Sequence, residues 1–218
     1  MPHYPISIDL TDRRCVVIGG GGVAERKVET LLEFGARTAV VAPRFTKRLL
    51  GMESEGLVEL VRGTYEPSAL QGAFLVIAAT DDREVNKAVS EDAQRAGILV
   101  NVVDDPELCT FFVPASVRRG DLIVSVSSSA RSPFLARRVK ELLESVVGPE
   151  YGDLAELMGW VREEVKATYG DQAERALHLA SVCRLESSAD LALPIALSPR
   201  RAARRPPGER GRRAPGTA

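Results

Sequence analysis

The sequence predicts an α/β fold built on a parallel sheet, from three observations. Apolar runs alternate with helically spaced segments through about the first hundred residues. The runs VVI, AVVA and FLVIAA contain no polar residue. The first of them leads directly into four consecutive glycines. Alternating strands and helices require right-handed crossovers, and so a parallel sheet with helices on both faces. Strands buried on both faces read as continuous apolar runs rather than as alternating ones.

RRCVVIGG is the first strand, ending in the glycines. VAERKVETLLEFG follows with Val28, Leu31, Leu32 and Gly35 at i, i+3, i+4 and i+7, a helical spacing that Gly35 can stop. RTAVVAP is the second strand, closed by Pro43, and RFTKRLLGMES the second helix. LVELVRG is a weaker strand. AFLVIAATDD is the fourth, REVNKAVSEDAQRAG a helix ending at Gly97, and ILVNVV the fifth strand.

After Pro114 the pattern changes. RRGD reads as a turn before the strand LIVSVS. Ser132-Pro133 then opens the helix FLARRVKELLESV, because serine can cap a helix and proline suits its first turn. That helix ends near Gly148-Pro149. From Tyr151 to about Glu186 the spacing is all helical. Leu154, Leu157, Met158, Val161 and Val165 form one apolar stripe, and Ala173, Ala176, Leu177, Ala180 and Cys183 another. Both read as packing faces.

The composition, 44% hydrophobic and 27% charged, is that of a soluble globular protein. No apolar run approaches the roughly 18 residues of a membrane span, so no membrane partner is expected. The opening MPHYPISIDLTDRR lacks a basic segment followed by an apolar stretch, and is not read as a signal peptide. Three scattered cysteines, Cys15, Cys109 and Cys183, with no CxxC, argue against a disulfide framework or zinc site and suit a cytoplasmic location. The net charge of −1 conceals an asymmetry. Ser198–Ala218 holds seven arginines against one glutamate, a net of +6, which leaves −7 for the rest. With almost no large apolar side chain, this tail is read as disordered and solvated. No nucleic-acid partner is expected, since the arginines have neither interleaved aromatics nor a binding fold beside them.

The chemistry begins at the glycines. Gly19, Gly21 and Ala24 supply G-x-G-x-x-A between a strand and a helix, the context that makes this dinucleotide fingerprint credible and the sheet Rossmann-type. The first glycine permits the tight turn and the second lets a pyrophosphate reach the backbone. The small third residue lets helix and strand pack closely. The end of the second strand reads Val41-Ala42-Pro43-Arg44, with no acid to hold ribose hydroxyls. Arg44 there is compatible with a 2′-phosphate, or backbone groups hold the ribose.

Two carboxylate pairs close later strands. Asp81 and Asp82 follow the fourth and suit a helix start; Asp104 and Asp105 follow the fifth. In an open parallel sheet ligands bind beyond the carboxyl ends of the strands. Pro106 biases Asp105 toward extended backbone and a turn role, which leaves Asp104 as the carboxylate for the cofactor crevice. Between Val113 and Lys140, Arg118, Arg119, Arg131, Arg137, Arg138 and Lys140 face the single acid Asp121. Such a run is usually a solvated face. Beside the serine-rich SVSSSARSP and a helix start it also suits a substrate bearing several carboxylates.

YPISIDLTDRRCVVIGGGGVAERKVETLLEFGA, AATDD, NVVDD and PASVRRGDLIVSVSSSARSPFLARRVKELLE occur in the order found in the precorrin-2 dehydrogenase/sirohydrochlorin ferrochelatase family, the N-terminal module of siroheme synthesis, which the chain resembles over about residues 4–145. The resemblance implies NAD-dependent oxidation of precorrin-2 to sirohydrochlorin. It also implies ferrous iron as a co-substrate, inserted at the same site, and a homodimer formed through the segment after Pro114. It carries NAD contacts onto Gly22 and Val23, then Pro43 and Arg44, with Thr80 of AATDD on the same rim, and a functional aspartate onto Asp104. It places substrate contacts at Ser128 and Arg131. Two family glycines are here Ser129 and Ala130, a departure that bears first on iron insertion. No metal-ligating residue is assigned.

The expected organisation is therefore a Rossmann domain over 1–112, a small α+β dimerisation and substrate segment over 113–148, a helical domain over 149–190 and a basic tail over 191–218. Oxidation of the precorrin removes a hydride and a proton, so a base is needed near the nicotinamide; Asp104 is the candidate. The fingerprint taken alone also fits a non-catalytic NAD sensor, or an oxidoreductase of a small substrate.

Overall fold

The computed structural model describes residues 3–182; the basic tail and the end of the expected helical domain lie outside the described residues. Two compact units divide the chain. One takes in Met1–Pro114 together with Ser128–Pro133, and the other Ala115–Ser127 together with the residues from Phe134 onward.

The first unit is a five-stranded parallel sheet in the order β3-β2-β1-β4-β5. Its strands are β1 (Arg14–Ile18), β2 (Arg37–Ala42), β3 (Val58–Arg62), β4 (Leu75–Ala78) and β5 (Leu99–Val102). Its helices are α1 (Gly22–Glu33), α2 (Lys47–Ser54) and α3 (Arg83–Arg95). In the central strand, Val17 stands between Val40 of β2 and Ile77 of β4. Because the chain leaves β3 at one edge and re-enters at β4 beside β1, strand order reverses between β1 and β4. A crevice opens at such a point beyond the strand ends.

Each strand sends alternate residues to opposite faces, and the core divides accordingly. Cys15, Val17, Val40, Leu60 and Ile77 pack with Val28 and Leu31 of α1 and Leu49 and Met52 of α2. Val16, Ile18, Val76, Val100 and Val102 pack with Val89 and Ala93 of α3. Fully burying such side chains contributes about 1.5–3 kcal/mol each, so both layers are anchored by the strands directly beneath the crevice.

Helix boundaries follow local chemistry. Gly35 (φ +73) and Gly97 (φ +70) take the left-handed conformation just past α1 and α3. The second helix begins at Lys47, later than the expected Arg44, because Thr46 is its cap: the threonine side chain accepts from Leu49 N–H at 3.2 Å. Asp82 caps α3, accepting from Glu84 N–H at 2.9 Å and Val85 N–H at 3.3 Å.

The second unit contains an antiparallel hairpin, β6 (Ala115–Arg119) and β7 (Leu122–Val126), with α4 (Pro133–Val146), α5 (Glu150–Thr168) and α6 (Gln172–Val182). Only β7 was expected from the sequence. The adjacent Arg118 and Arg119 hid β6, whose one fully inward residue is Val117, 2% exposed. Helix α5 reaches the hairpin through Gly152, where a β-carbon would lie 3.1 Å from the Arg119 carbonyl carbon. The first apolar stripe packs, with Val165 buried and Leu154, Leu157, Met158 and Val161 half-buried. Of the second, Ala173, Ala176 and Leu177 are exposed, Leu177 at 72%, and the side chains of Ala180 and Cys183 lie outside the described residues. Helix α6 packs along α5. No helix of the described residues is long and apolar enough to cross a membrane.

Candidate functional site

The four glycines divide into two pairs with different work. Gly19 adopts φ +124, which disfavours any side chain, and donates its N–H to the Val41 carbonyl at 2.9 Å. A β-carbon there would collide with the Ala79 carbonyl. Gly20 accepts from Thr46 N–H at 3.1 Å, and a β-carbon on it would collide with the Arg44 carbonyl and approach Ala42 Cβ to 2.9 Å. These two glycines let the loops after β2 and β4 close against the end of β1. Gly21 and Gly22 differ: a β-carbon on either meets nothing within 4 Å.

That open backbone borders the start of α1. The first helical bond is donated by Glu25 N–H to the Gly21 carbonyl at 3.0 Å, so helix geometry leaves the amides of Gly22, Val23 and Ala24 without intrahelical acceptors. Gly21 supplies no capping side chain. Free amides at the positive end of a helix dipole are an anion site, and the uncrowded glycines let a phosphate approach. Ala24 is fully buried against the sheet, as the fingerprint requires of its third small residue. The residues present fit a dinucleotide.

The crevice holds about 720 Å³ and is walled by the glycine turn, the loop after β2, Gly63–Tyr65 after β3, and Ala79–Asp82 after β4. Its volume suits a small-molecule or cofactor site. Gly19, Gly21, Gly22, Val23, Pro43, Arg44 and Thr80 all line it, whereas Ala24 lies beneath. Arg44 is exposed and makes no ion pair among the described residues. Thr80 is held tightly by Asn86 of α3. The amide oxygen accepts from Thr80 N–H (3.3 Å) and O–H (2.7 Å), and the amide nitrogen donates to the Thr80 carbonyl (2.9 Å).

Asp104 does not line this crevice; Asp81 and Asp82 do. The chain turns directly after β5, placing Asp104 at φ +61 with its carboxylate exposed and unpaired among the described residues. Asp105 lies at φ −130, extended as Pro106 demands. It pairs with Arg83 at 3.1 Å, and its carbonyl accepts from Leu108 N–H at 3.2 Å.

In the loop before α4, Ser128 Oγ accepts from Ser132 N–H at 3.0 Å and the Ser128 carbonyl from Arg131 N–H at 3.1 Å. Ser129 (φ +52) and Ala130 (φ +61) are both left-handed. Arg131 is exposed. The other basic residues of this stretch do not form one patch. Arg137 and Arg138 pair with Glu141, Lys140 pairs with Glu144, and Arg119 donates to the Val147 carbonyl at 2.9 Å. The compensating acids lie on α4 itself, one turn beyond the basic run.

Sequence reasoning passed over three residues. Gly20 is the unspecified position of the fingerprint. Asn86 was one polar residue within a helix, though TDDREVN places it one turn beyond the capping aspartate. Tyr65 lines the crevice and donates its hydroxyl to Asp92 at 2.9 Å. Burial, then that bond, pushes its phenol above the ordinary range and keeps it protonated. Among the described residues no group of three or more His, Cys, Asp or Glu side chains is arranged to hold a metal.

Comparison with known proteins agrees with this geometry. The family described as "Putative NAD(P)-binding" matches residues 6–115. The chain is 45% identical over 177 residues to the siroheme synthase of Methylobacillus flagellatus, covering 81% of this chain and 38% of that protein. It is also 45% identical over 175 residues to the siroheme synthase of Citrobacter koseri, covering 80% and 38%. It thus spans less than two-fifths of the length of these relatives. The solved structure of SirC, precorrin-2 dehydrogenase, superposes with a TM-score of 0.72 at 26% identity, covering 87% of this chain and 95% of that one. With the glycine turn, the open helix start and the crevice all inside the matched residues, the chain belongs to this NAD(P)-binding family.

Proposed function

We propose that the protein is an NAD-dependent dehydrogenase that oxidises precorrin-2 to sirohydrochlorin in siroheme synthesis. The observation that carries the reading is the open face of the glycine turn, where Gly21 and Gly22 expose backbone beside the free amides of α1. The substrate rests on the likeness to siroheme synthases and to SirC. Gly22 and Val23 would hold the pyrophosphate, Pro43 and Arg44 the adenosine end, and Thr80 the opposite wall. A nicotinamide bound in the crevice supplies the hydride acceptor.

Oxidation removes two hydrogens from the substrate, one as hydride and one as a proton. Asp104 takes the proton. Among the described residues its carboxylate has no ion-pair partner, unlike that of Asp105, so it can accept a proton without breaking an ion pair. Because Asp104 stands outside the crevice wall, the substrate would lie over the end of β5 rather than deep within the nucleotide site. Ser128, whose oxygen accepts from Ser132 N–H, would donate its hydroxyl proton to a substrate carboxylate, and Arg131 offers a cation for another.

The same proposal includes a homodimer through residues 113–148, a helical domain over 149–190, and a cytoplasmic protein. Ferrous iron enters it as a second substrate, held by the macrocycle's own nitrogens.

The test is anaerobic. Precorrin-2 generated in situ is mixed with the protein and NAD, and sirohydrochlorin is followed by its absorption, with NADP, no cofactor, and Asp104→Asn as controls. NAD-dependent product that disappears in the variant is expected. A folded protein that binds NAD and yields no product would overturn the dehydrogenase reading. Ferrous iron is added afterwards, and a shift to the siroheme spectrum only in the presence of protein would establish insertion.

A further inference from the structure

We infer that Asn86 is a positioning residue of the nucleotide crevice, acting through Thr80. The inference rests on the reading of this crevice as the dinucleotide site. Asn86 belongs to α3, and its side chain is turned down from the helix to the end of β4. It is 7% exposed. An amide buried to that degree must satisfy its polar atoms or cost stability, and here every bond it makes goes to one residue. Thr80 gives Asn86 its N–H and its hydroxyl, and takes the amide N–H on its carbonyl, across 3.3, 2.7 and 2.9 Å. The orientation of the amide follows from that set, since the reversed one would place its nitrogen against the Thr80 N–H and its oxygen against the Thr80 carbonyl.

A side chain that binds both backbone groups of a loop residue fixes that peptide as a strand partner would. Such a clamp is needed at this point because the last bond from β4 to β1 is donated by Ala79 N–H to the Ile18 carbonyl at 2.7 Å, and Thr80 lies past it. The Ala79–Asp82 segment is a wall of the crevice. It is also the surface against which Gly19 closes, since a β-carbon on Gly19 would meet the Ala79 carbonyl. The hydroxyl of Thr80 closes the turn further, accepting from Asp82 N–H at 3.2 Å. Asp82 in turn caps α3 and accepts from Asn86 N–H at 3.0 Å on its carbonyl. Thr80, Asp82 and Asn86 therefore form one closed unit, and Asn86 is its buried member. Releasing Asn86 would leave Thr80 N–H and C=O to seek water, and the wall facing the glycine turn would lose its fixed position. A binding wall displaced by an ångström costs affinity even when the displaced residue is not itself the principal contact.

The test uses NAD binding by calorimetry to the full chain, with thermal unfolding and amide hydrogen exchange beside it. Asn86→Asp keeps the size and the accepting oxygen but opposes the Thr80 carbonyl with a second oxygen; Asn86→Leu keeps the approximate size, adds no charge and removes all three bonds. Val89→Ala, in the same helix and fully buried, is the control for lost stability alone. Both Asn86 variants are expected to weaken NAD binding about tenfold or more, Asn86→Leu the more strongly, with faster exchange over residues 79–82. Val89→Ala should lower the melting temperature while leaving the NAD dissociation constant within about twofold. NAD affinity unchanged in Asn86→Asp, or equally weakened in Val89→Ala, would overturn the inference while leaving the nucleotide site intact. Absence of NAD binding by the unaltered protein would overturn both.

Discussion

The guanidinium of Arg83 lies 3.1 Å from the carboxylate of Asp105, whereas the adjacent Asp104 has no such partner among the described residues. Two adjacent acids at the end of one strand are thereby given different fates. Asp105 ties the start of α3 to the turn after β5. Asp104, at φ +61, is exposed. Asp104→Asn is expected to abolish precorrin oxidation while keeping the fold, since asparagine tolerates left-handed backbone better than alanine does. Asp105→Asn should retain turnover and cost less than about 1 kcal/mol, because Arg83 is mostly exposed. Turnover and denaturation midpoints of the two variants decide the assignment; loss of activity only in Asp105→Asn would reverse it.

The paired glycines separate folding from binding. Gly19→Ala and Gly20→Ala force a β-carbon into a backbone carbonyl, and each should destabilise by about 2–4 kcal/mol. Gly21→Ala meets no protein atom. It should leave the melting temperature within a few degrees while weakening NAD binding about tenfold or more, because its methyl occupies the approach to the free amides. Comparing melting temperature with NAD affinity across the three variants checks the division.

Ser129 and Ala130 occupy left-handed backbone one after the other. That conformation costs a non-glycine residue about 1–2 kcal/mol, partly offset by the extra entropy a glycine loses, about 0.5–1 kcal/mol. Ala130→Gly should stabilise the protein by about 0.5–1 kcal/mol, read as a higher midpoint in urea. A lower midpoint would mean that the Ala130 methyl makes contacts worth more than the backbone strain.

Cys15 is fully buried in β1, and burial pushes its thiol from 9.0 up to about 11. A group that holds its proton more tightly when folded adds stability below its unfolded pKa and loses it as pH rises through the folded value. Stability should therefore fall between pH 9 and about 11 more steeply in the unaltered protein than in Cys15→Ala, as denaturation midpoints across that range would report. Thiol reagents at neutral pH should modify Cys15 only when the protein unfolds.

The sheet was legible because β1, β2, β4 and β5 are buried on both faces, and only largely apolar runs satisfy that requirement. The glycine fingerprint was legible because close backbone approach excludes every other residue, although the pattern named Gly21 and left out Gly20, which packing also demands. What escaped was set by neighbours distant in sequence. β6 carries two arginines, and only Val117 betrays a buried face. The exposure of Leu177 was hidden because a helical stripe has the same spacing whether or not anything covers it. Asn86 reads as an ordinary helix residue until α3 is laid beside the end of β4. Asp104 was placed at the correct end of the sheet, but the turn after β5 that carries it clear of the crevice wall leaves no mark in composition or period.

The division of the hydrophobic core between the two faces of the sheet means that the jaws of the crevice are fastened separately. The glycine turn rides on α1, packed over Cys15, Val17 and Val40, while the Thr80 wall rides on α3, packed over Val16, Val76 and Val100. A change beneath one helix loosens that helix and leaves the opposite layer packed, so the stability of each side of the crevice is adjustable by single-layer substitutions that never touch the fingerprint itself.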